Sequence, residues 1–148
     1  VMQKDKKLTV RTRGIILSEG KLLTVKHPHN MNFCALPGGH LDWGEDIKKC
    51  LEREIMEELG IRPEIDRLLY VNNFLDEKTT QSIEFFFEIT NGDDYKNLEK
   101  ITKTHAHEIA EVCWISPTDN IPLLPTGLWE DFKSGNIISD QTRFISTV

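Results

Sequence analysis

The chain has 148 residues, of which 39% are apolar and 28% charged, and a formal net charge of −6 at pH 7. That length fits one domain spanning the whole chain, able to bury close to 70% of its unfolded surface without disulfides or a structural metal. The acidic balance argues against a nucleic-acid backbone or an anionic membrane as the main partner, because either calls for a basic patch. Cys34, Cys50 and Cys113 are odd in number and widely spaced, with no CxxC pair, which points to reduced thiols and a cytoplasmic location. No apolar run is long enough to span a bilayer, and Val1 to Lys7 has no apolar core of signal-peptide length behind it, so a soluble, intracellular protein is expected.

Leu8 to Leu17 is rich in β-branched residues and is separated by a polar turn from Leu22 to Lys26, which predicts two strands. Arg11 and Arg13 share one face of the first by its period of two, either as solvated edge charges or as contacts to a substrate phosphate. Lys26 to Asn32 reads as a loop, with His27 and His29 as surface residues or, less economically, metal ligands. Phe33 to Leu36 reads as a short strand that leads into Gly38 and Gly39, a turn whose backbone can approach a ligand closely because no Cβ stands in the way. Phe33 and Trp43 are each open to two readings: Phe33 as core or as a base-stacking surface, Trp43 as a loop anchor or as the same kind of surface.

From Glu45 to Leu59 the pattern is helical. Ile47, Leu51, Ile55 and Leu59 recur every four residues as one apolar ridge, and Gly60 supplies the stop. Glu54, Glu57 and Glu58 fall within an arc of about 100° beside that ridge. They are either the solvated face of an amphipathic helix or a cluster whose mutual repulsion a hard divalent cation would relieve. Magnesium or manganese suits such an oxygen-rich site, keeping several waters and binding phosphate oxygens beside the protein carboxylates.

The segment from Gly39 to Ile61, GHLDWGEDIKKCLEREIMEELGI, resembles the signature of the Nudix hydrolases. Gly39, Glu45, Arg53, Glu54, Ile55, Glu57, Glu58, Gly60 and Ile61 fill every specified position of that box. The resemblance implies an α/β/α sandwich with a mixed, curved sheet, and hydrolysis of the pyrophosphate linkage of a nucleoside diphosphate derivative with Mg2+ or Mn2+ as cofactor. It also implies site roles: Glu54, Glu57 and Glu58 as metal ligands, with Glu54 or Glu58 doubling as base; Arg53 as the group that orients a glutamate; Gly39 as a carbonyl ligand; and Glu45 as support for the loop.

Beyond the box, Ile65 to Leu75 and Gln81 to Thr90 read as two strands around the turn Asp76 to Thr80, with Phe85, Phe86 and Phe87 putting aromatic core on both faces. Asn91 to Lys103 reads as a loop that could partly cover a site, and Ile109 to Ile115 as a strand. His105, His107, Glu108 and Glu111 are loop polar residues or the source of one further ligand or base, with Glu111 the outside candidate. Leu123 to Gly135 reads as a second helix, carrying Leu128, Trp129 and Phe132 against the sheet.

Family markers for substrate narrow the choice further. No proline lies between Pro63 and Pro117, where ADP-ribose hydrolases of this resemblance carry one, and Tyr70 and Tyr95 miss the spacing typical of dinucleoside-polyphosphate hydrolases. A nucleoside triphosphate or nucleotide sugar is left as the expected small-molecule partner. The alternative is a catalytically silent domain that senses a nucleotide, and a homodimer is left open.

Overall fold

Two strands that the sequence separates widely, β1 (Lys7–Ser18) and β6 (Thr80–Ile89), lie side by side and parallel at the centre of the sheet, with Lys7 opposite Thr80 and Ile16 opposite Ile89. This computed structural model describes residues 5–27, 30–75, 79–97, 111–121, 123 and 125–148. The remaining strands among them are β2 (Lys21–His27), β3 (Asn30–Ala35), β4 (Gly38–His40), β5 (Ile65–Leu75), β7 (Glu111–Ile115) and β8 (Arg143–Ser146). The order is β3-β2-β1-β6-β5-β8, with β4 paired to β1 and β7 to β2, giving one mixed sheet. Helix α1 (Ile47–Leu59) and helix α2 (Thr126–Ser134) cover its two faces. No helix among the described residues is long and apolar enough to cross a membrane.

Alternation along the strands makes two cores, as the expected sandwich requires. On one face Ile16, Leu23, Phe87 and Ile89 meet Leu51, Ile55 and Leu59 of α1, while on the other Ile15, Leu22, Tyr70 and Phe86 meet Leu128 and Phe132 of α2. Leu51, Ile55 and Leu59 are each fully buried, a burial that stabilises by about 1.5–3 kcal/mol per side chain. Phe86 and Phe87 do take opposite faces, as the aromatic run implied.

Several boundaries differ from the sequence expectation for identifiable reasons. Helix α1 begins at Ile47 rather than Glu45, because the Asp46 carboxylate accepts hydrogen bonds from the backbone N–H groups of Lys48 and Lys49 at 3.0 and 3.1 Å and so caps the helix. Glu45 is thereby left to the preceding loop. The glycine turn is in fact a three-residue strand, β4, and β3 extends through Asn30 to Asn32, into what reads as loop. Gly92–Tyr95 is a single 3₁₀ turn. Trp43 is fully exposed rather than a loop anchor. His29, His105, His107 and Glu108 lie outside the described residues.

The Asp46 cap gives a first expected result. Asp46→Ala should lower the stability by about 1 kcal/mol, the usual cost of losing an N-cap side chain. Urea unfolding would read this as a lower midpoint with an unchanged slope.

Candidate active site

The site is built where β4 lies along the edge of β1, with Arg13 opposite Gly38, Thr12 opposite Gly39 and Arg11 opposite His40. Close approach dictates both glycines. At Gly38, φ is +145° and a Cβ would fall on the Thr12 carbonyl oxygen. At Gly39 a Cβ would occupy the place of the Glu54 carboxylate, so the absence of a side chain lets helix α1 bring that carboxylate against the β4 backbone. Thr12 Oγ1 donates to Cys50 Sγ at 3.4 Å, and Cys50 donates to the His40 carbonyl at 3.3 Å, fastening the helix to the same two strands. Burial pushes the Cys50 thiol up to about 11, so it stays a neutral packing group.

Three glutamates on one arc turn out to have three different environments. Glu58 is 3% exposed and accepts the Gly38 N–H at 2.9 Å, tying the last turn of α1 to β4. Glu54 and Glu57 both reach Arg53 Nη1, at 2.8 and 3.5 Å. Arg53 also grips Glu45 with two parallel bonds, Nε to Oε2 at 2.8 Å and Nη2 to Oε1 at 3.0 Å, and reaches the His40 carbonyl at 3.3 Å. The Arg53 hydrogen bonds hold the Glu45 carboxyl down at about 2, and the same bonds raise the guanidinium further above its usual range.

Arg53 therefore supplies the positive charge that the bare spacing of the glutamates lacked. Among the described residues no three carboxylate, imidazole or thiolate groups stand together as a ready metal cage. The donors nevertheless fit a hard divalent cation: the carboxylates of Glu54 and Glu57 converge on one nitrogen, and the Glu54 carboxylate lies against the bare backbone of Gly39.

On the other face of β1 a cleft of about 320 Å³ opens beside this edge, lined by Arg11, Arg13, Phe33, Asn72, Phe74 and Glu84 among others. Arg13 is committed within it, donating from Nε to Glu84 at 3.1 Å and from Nη1 to the Leu36 carbonyl at 2.9 Å. His40 is held below its ordinary pKa by burial first and then by Arg11 and Arg13, so it is neutral at pH 7 and adds no cation. Phe33 is 46% exposed and lines the cleft, which favours the stacking reading over the core one.

The structure thus gathers Gly38, Gly39, Glu45, Arg53, Glu54, Glu57 and Glu58 at the β4 edge, and Arg11, Arg13 and Phe33 in the cleft behind it. Glu111 joins neither group: at the start of β7 it pairs with Lys26 at 3.9 Å across β2. Asn72, Phe74 and Glu84 were missed. The sequence does not single them out, because β5 also carries Asp66, Arg67 and Asn73 and β6 also carries Ser82 and Glu88, so only the assembled sheet shows which polar groups turn inward.

A NUDIX domain family model matches residues 8–134. Over 100 residues the chain is 35% identical to an ADP-ribose pyrophosphatase of Methanocaldococcus jannaschii, spanning 61% of this chain and 59% of the relative. It is 35% identical over 91 residues to an 8-oxo-dGTP diphosphatase of Haemophilus influenzae, spanning 59% and 65% of the two chains. The chain therefore covers less than two thirds of either relative's length. Among solved structures, a MutT protein from Methanosarcina mazei Go1 superposes with a TM-score of 0.71 at 22% identity, covering 90% of this chain and 99% of that one. A MutT NUDIX hydrolase from Burkholderia pseudomallei superposes with a TM-score of 0.70, also at 22% identity, covering 86% and 98%. At that identity the superpositions speak to the fold alone. With every box position filled and a family match that runs through both sheet faces and both helices, the chain belongs to the NUDIX domain family.

Proposed function

We propose that this chain hydrolyses the pyrophosphate linkage of a nucleoside diphosphate derivative, a nucleoside triphosphate or nucleotide sugar, with magnesium or manganese. The observation that carries the reading is the juxtaposition across β4: a converging carboxylate set on the α1 side and an aromatic, arginine-bearing cleft on the other. A substrate lying over the edge of this short strand would place its base and sugar in the cleft and its phosphates above Gly38 and Gly39. The names of the curated relatives, a pyrophosphatase and a diphosphatase, support the same class of bond.

Glu54 and Glu57 would hold the cation, with the Gly39 carbonyl beside them and Glu58 adding its charge to the same turn. When bound, the cation would neutralise charge on the bridging and leaving oxygens and lower the pKa of the attacking water. The protein's own part is positional. Arg53 fixes the Glu54 carboxylate through a charge-assisted bond while Glu45 fixes Arg53, and Glu54 or Glu58 stands closest to the β4 backbone to take the water's proton. Arg11, in the cleft and opposite His40, would face the phosphate oxygens.

A screen of nucleotides and nucleotide sugars with magnesium or manganese, run in ¹⁸O water, tests the reading. Turnover should vanish in excess chelator, calcium should substitute poorly, and the label should appear on a phosphate oxygen. Turnover that survives the chelator, or label on a sugar carbon, would overturn it. Binding without turnover in any of these conditions would identify a nucleotide sensor instead.

A further inference from the structure

At the floor of the cleft Arg11, Glu84 and Asn72 form a row across β1, β6 and β5, each directly opposite the next in register. Asn72 is 1% exposed, and its Nδ2 donates to Glu84 Oε1 at 3.0 Å. Glu84 Oε2 accepts from Arg13 Nε at 3.1 Å, so both oxygens of the carboxylate are used. A carboxylate beside an arginine accepts and does not donate, which fixes the amide orientation that would otherwise be ambiguous. The amide oxygen must be the atom that turns away from Glu84. It is buried and has no hydrogen-bond partner among the described residues, a state that folded proteins rarely leave without a reason.

We infer that Asn72 Oδ1, oriented by the Arg13–Glu84 pair, selects a nucleobase that presents an amino group to the cleft floor over the same base carrying a carbonyl there. This rests on the reading of the cleft as the nucleoside site. Phe33 and Phe74 in the same cleft offer apolar aromatic surface to a planar ring, and they stack on any base without choosing among them. The choice falls to the hydrogen-bonding atom. An amino group completes Oδ1, whereas a carbonyl sets two acceptors face to face and leaves both unpaired in a dry site, a difference worth about 10- to 100-fold.

The test compares ATP with ITP and CTP with UTP on the wild-type protein, by kcat/KM with magnesium and by equilibrium binding with calcium. The amino-bearing member of at least one pair should be favoured about tenfold or more in both measurements. Asn72→Ala should erase the preference, with a melting curve to confirm that the variant is folded. Glu84→Gln is the sharper variant: its amide can accept from Arg13 and donate to Asn72 Oδ1, which turns Asn72 Nδ2 to the cleft and should reverse the preference toward ITP or UTP. Equal treatment of both members of both pairs, or a preference that Glu84→Gln leaves untouched, overturns the assignment. Discrimination in binding, with no turnover of any nucleotide or nucleotide sugar in the screen above, overturns the hydrolase reading and leaves this one standing. Failure to bind any of the four overturns this assignment, and the hydrolase reading then rests on the nucleotide-sugar arm of that screen.

Discussion

Replacing Glu54 or Glu57 by Gln is expected to lower metal-dependent kcat/KM by at least about a hundredfold, since even outer partners of a metal ligand are worth ten- to a hundredfold. Without metal the same changes should leave the melting temperature nearly unmoved. Spacing alone suggests repulsion among Glu54, Glu57 and Glu58, but Arg53 Nη1 sits 2.8 and 3.5 Å from the first two and offsets it. For a partly exposed pair of this kind the net effect is about 0.5 kcal/mol or less for Glu57. Glu58 is different. It is buried on the Gly38 N–H, and although Gln could still accept that bond, it would lose the charge that strengthens it, at a cost of about 1 kcal/mol. Melts with chelator and with magnesium separate these effects. The wild type should gain about 2.7 kcal/mol at a hundredfold excess of metal over its Kd, and the Glu54 and Glu57 variants should lose most of that gain. Full activity and full metal stabilisation in both variants would make these carboxylates structural and place the reaction elsewhere.

That contrast between Glu57 and Glu58 marks the limit of sequence reading in this chain. A 3.6-residue period places three carboxylates on one arc, yet it does not say which turns inward, because that depends on β4, whose pairing with β1 sets the Gly38 N–H where Glu58 can accept it. Strand β5 was legible end to end, since eleven residues rich in Leu, Val, Tyr and Phe lie between Pro63 and a polar turn. Strand β8 was not, because four residues, Arg143–Ser146, acquire their role by pairing parallel to β5 some seventy positions away. Of the cleft, Arg11, Arg13 and Phe33 were legible as candidates, but its far wall was not. Asn72 and Glu84 are twelve residues apart, and Arg13 lies a further fifty-nine upstream, so the hydrogen bonds that join them exist only in the assembled sheet. The body of α1 and its glycine stop were readable from their own period, whereas contacts that need three strands, such as Arg13–Glu84–Asn72, were not.

Arg53→Lys is the second change with a large expected effect, and it separates charge from geometry because the charge is kept. Arg53 engages Glu45 through two nitrogens, Glu54 and Glu57 through a third, and the His40 carbonyl besides. An ammonium is a point donor that cannot span these positions, so lysine would hold one carboxylate and release the others. Glu54 would then lose the orientation that sets it against Gly39, and activity should fall at least tenfold, with apparent metal affinity weakened ten- to a hundredfold. A pH signature accompanies the loss. The Glu45 carboxyl, held at about 2 against an ordinary 4.5, binds fewer protons in the folded chain than in the unfolded one across that interval. Its contribution to stability is therefore complete above pH 4.5 and is lost as pH falls through about 2. In Arg53→Lys the carboxyl should titrate closer to 4.5, so the wild-type advantage in melting temperature should be greatest above pH 5 and shrink as acid is added. A carboxyl-carbon NMR titration of Glu45, set beside melts from pH 2 to 7 and a magnesium titration of activity, reads all three. If lysine leaves Glu45 at its wild-type position and activity intact, the guanidinium clamp does not organise this site.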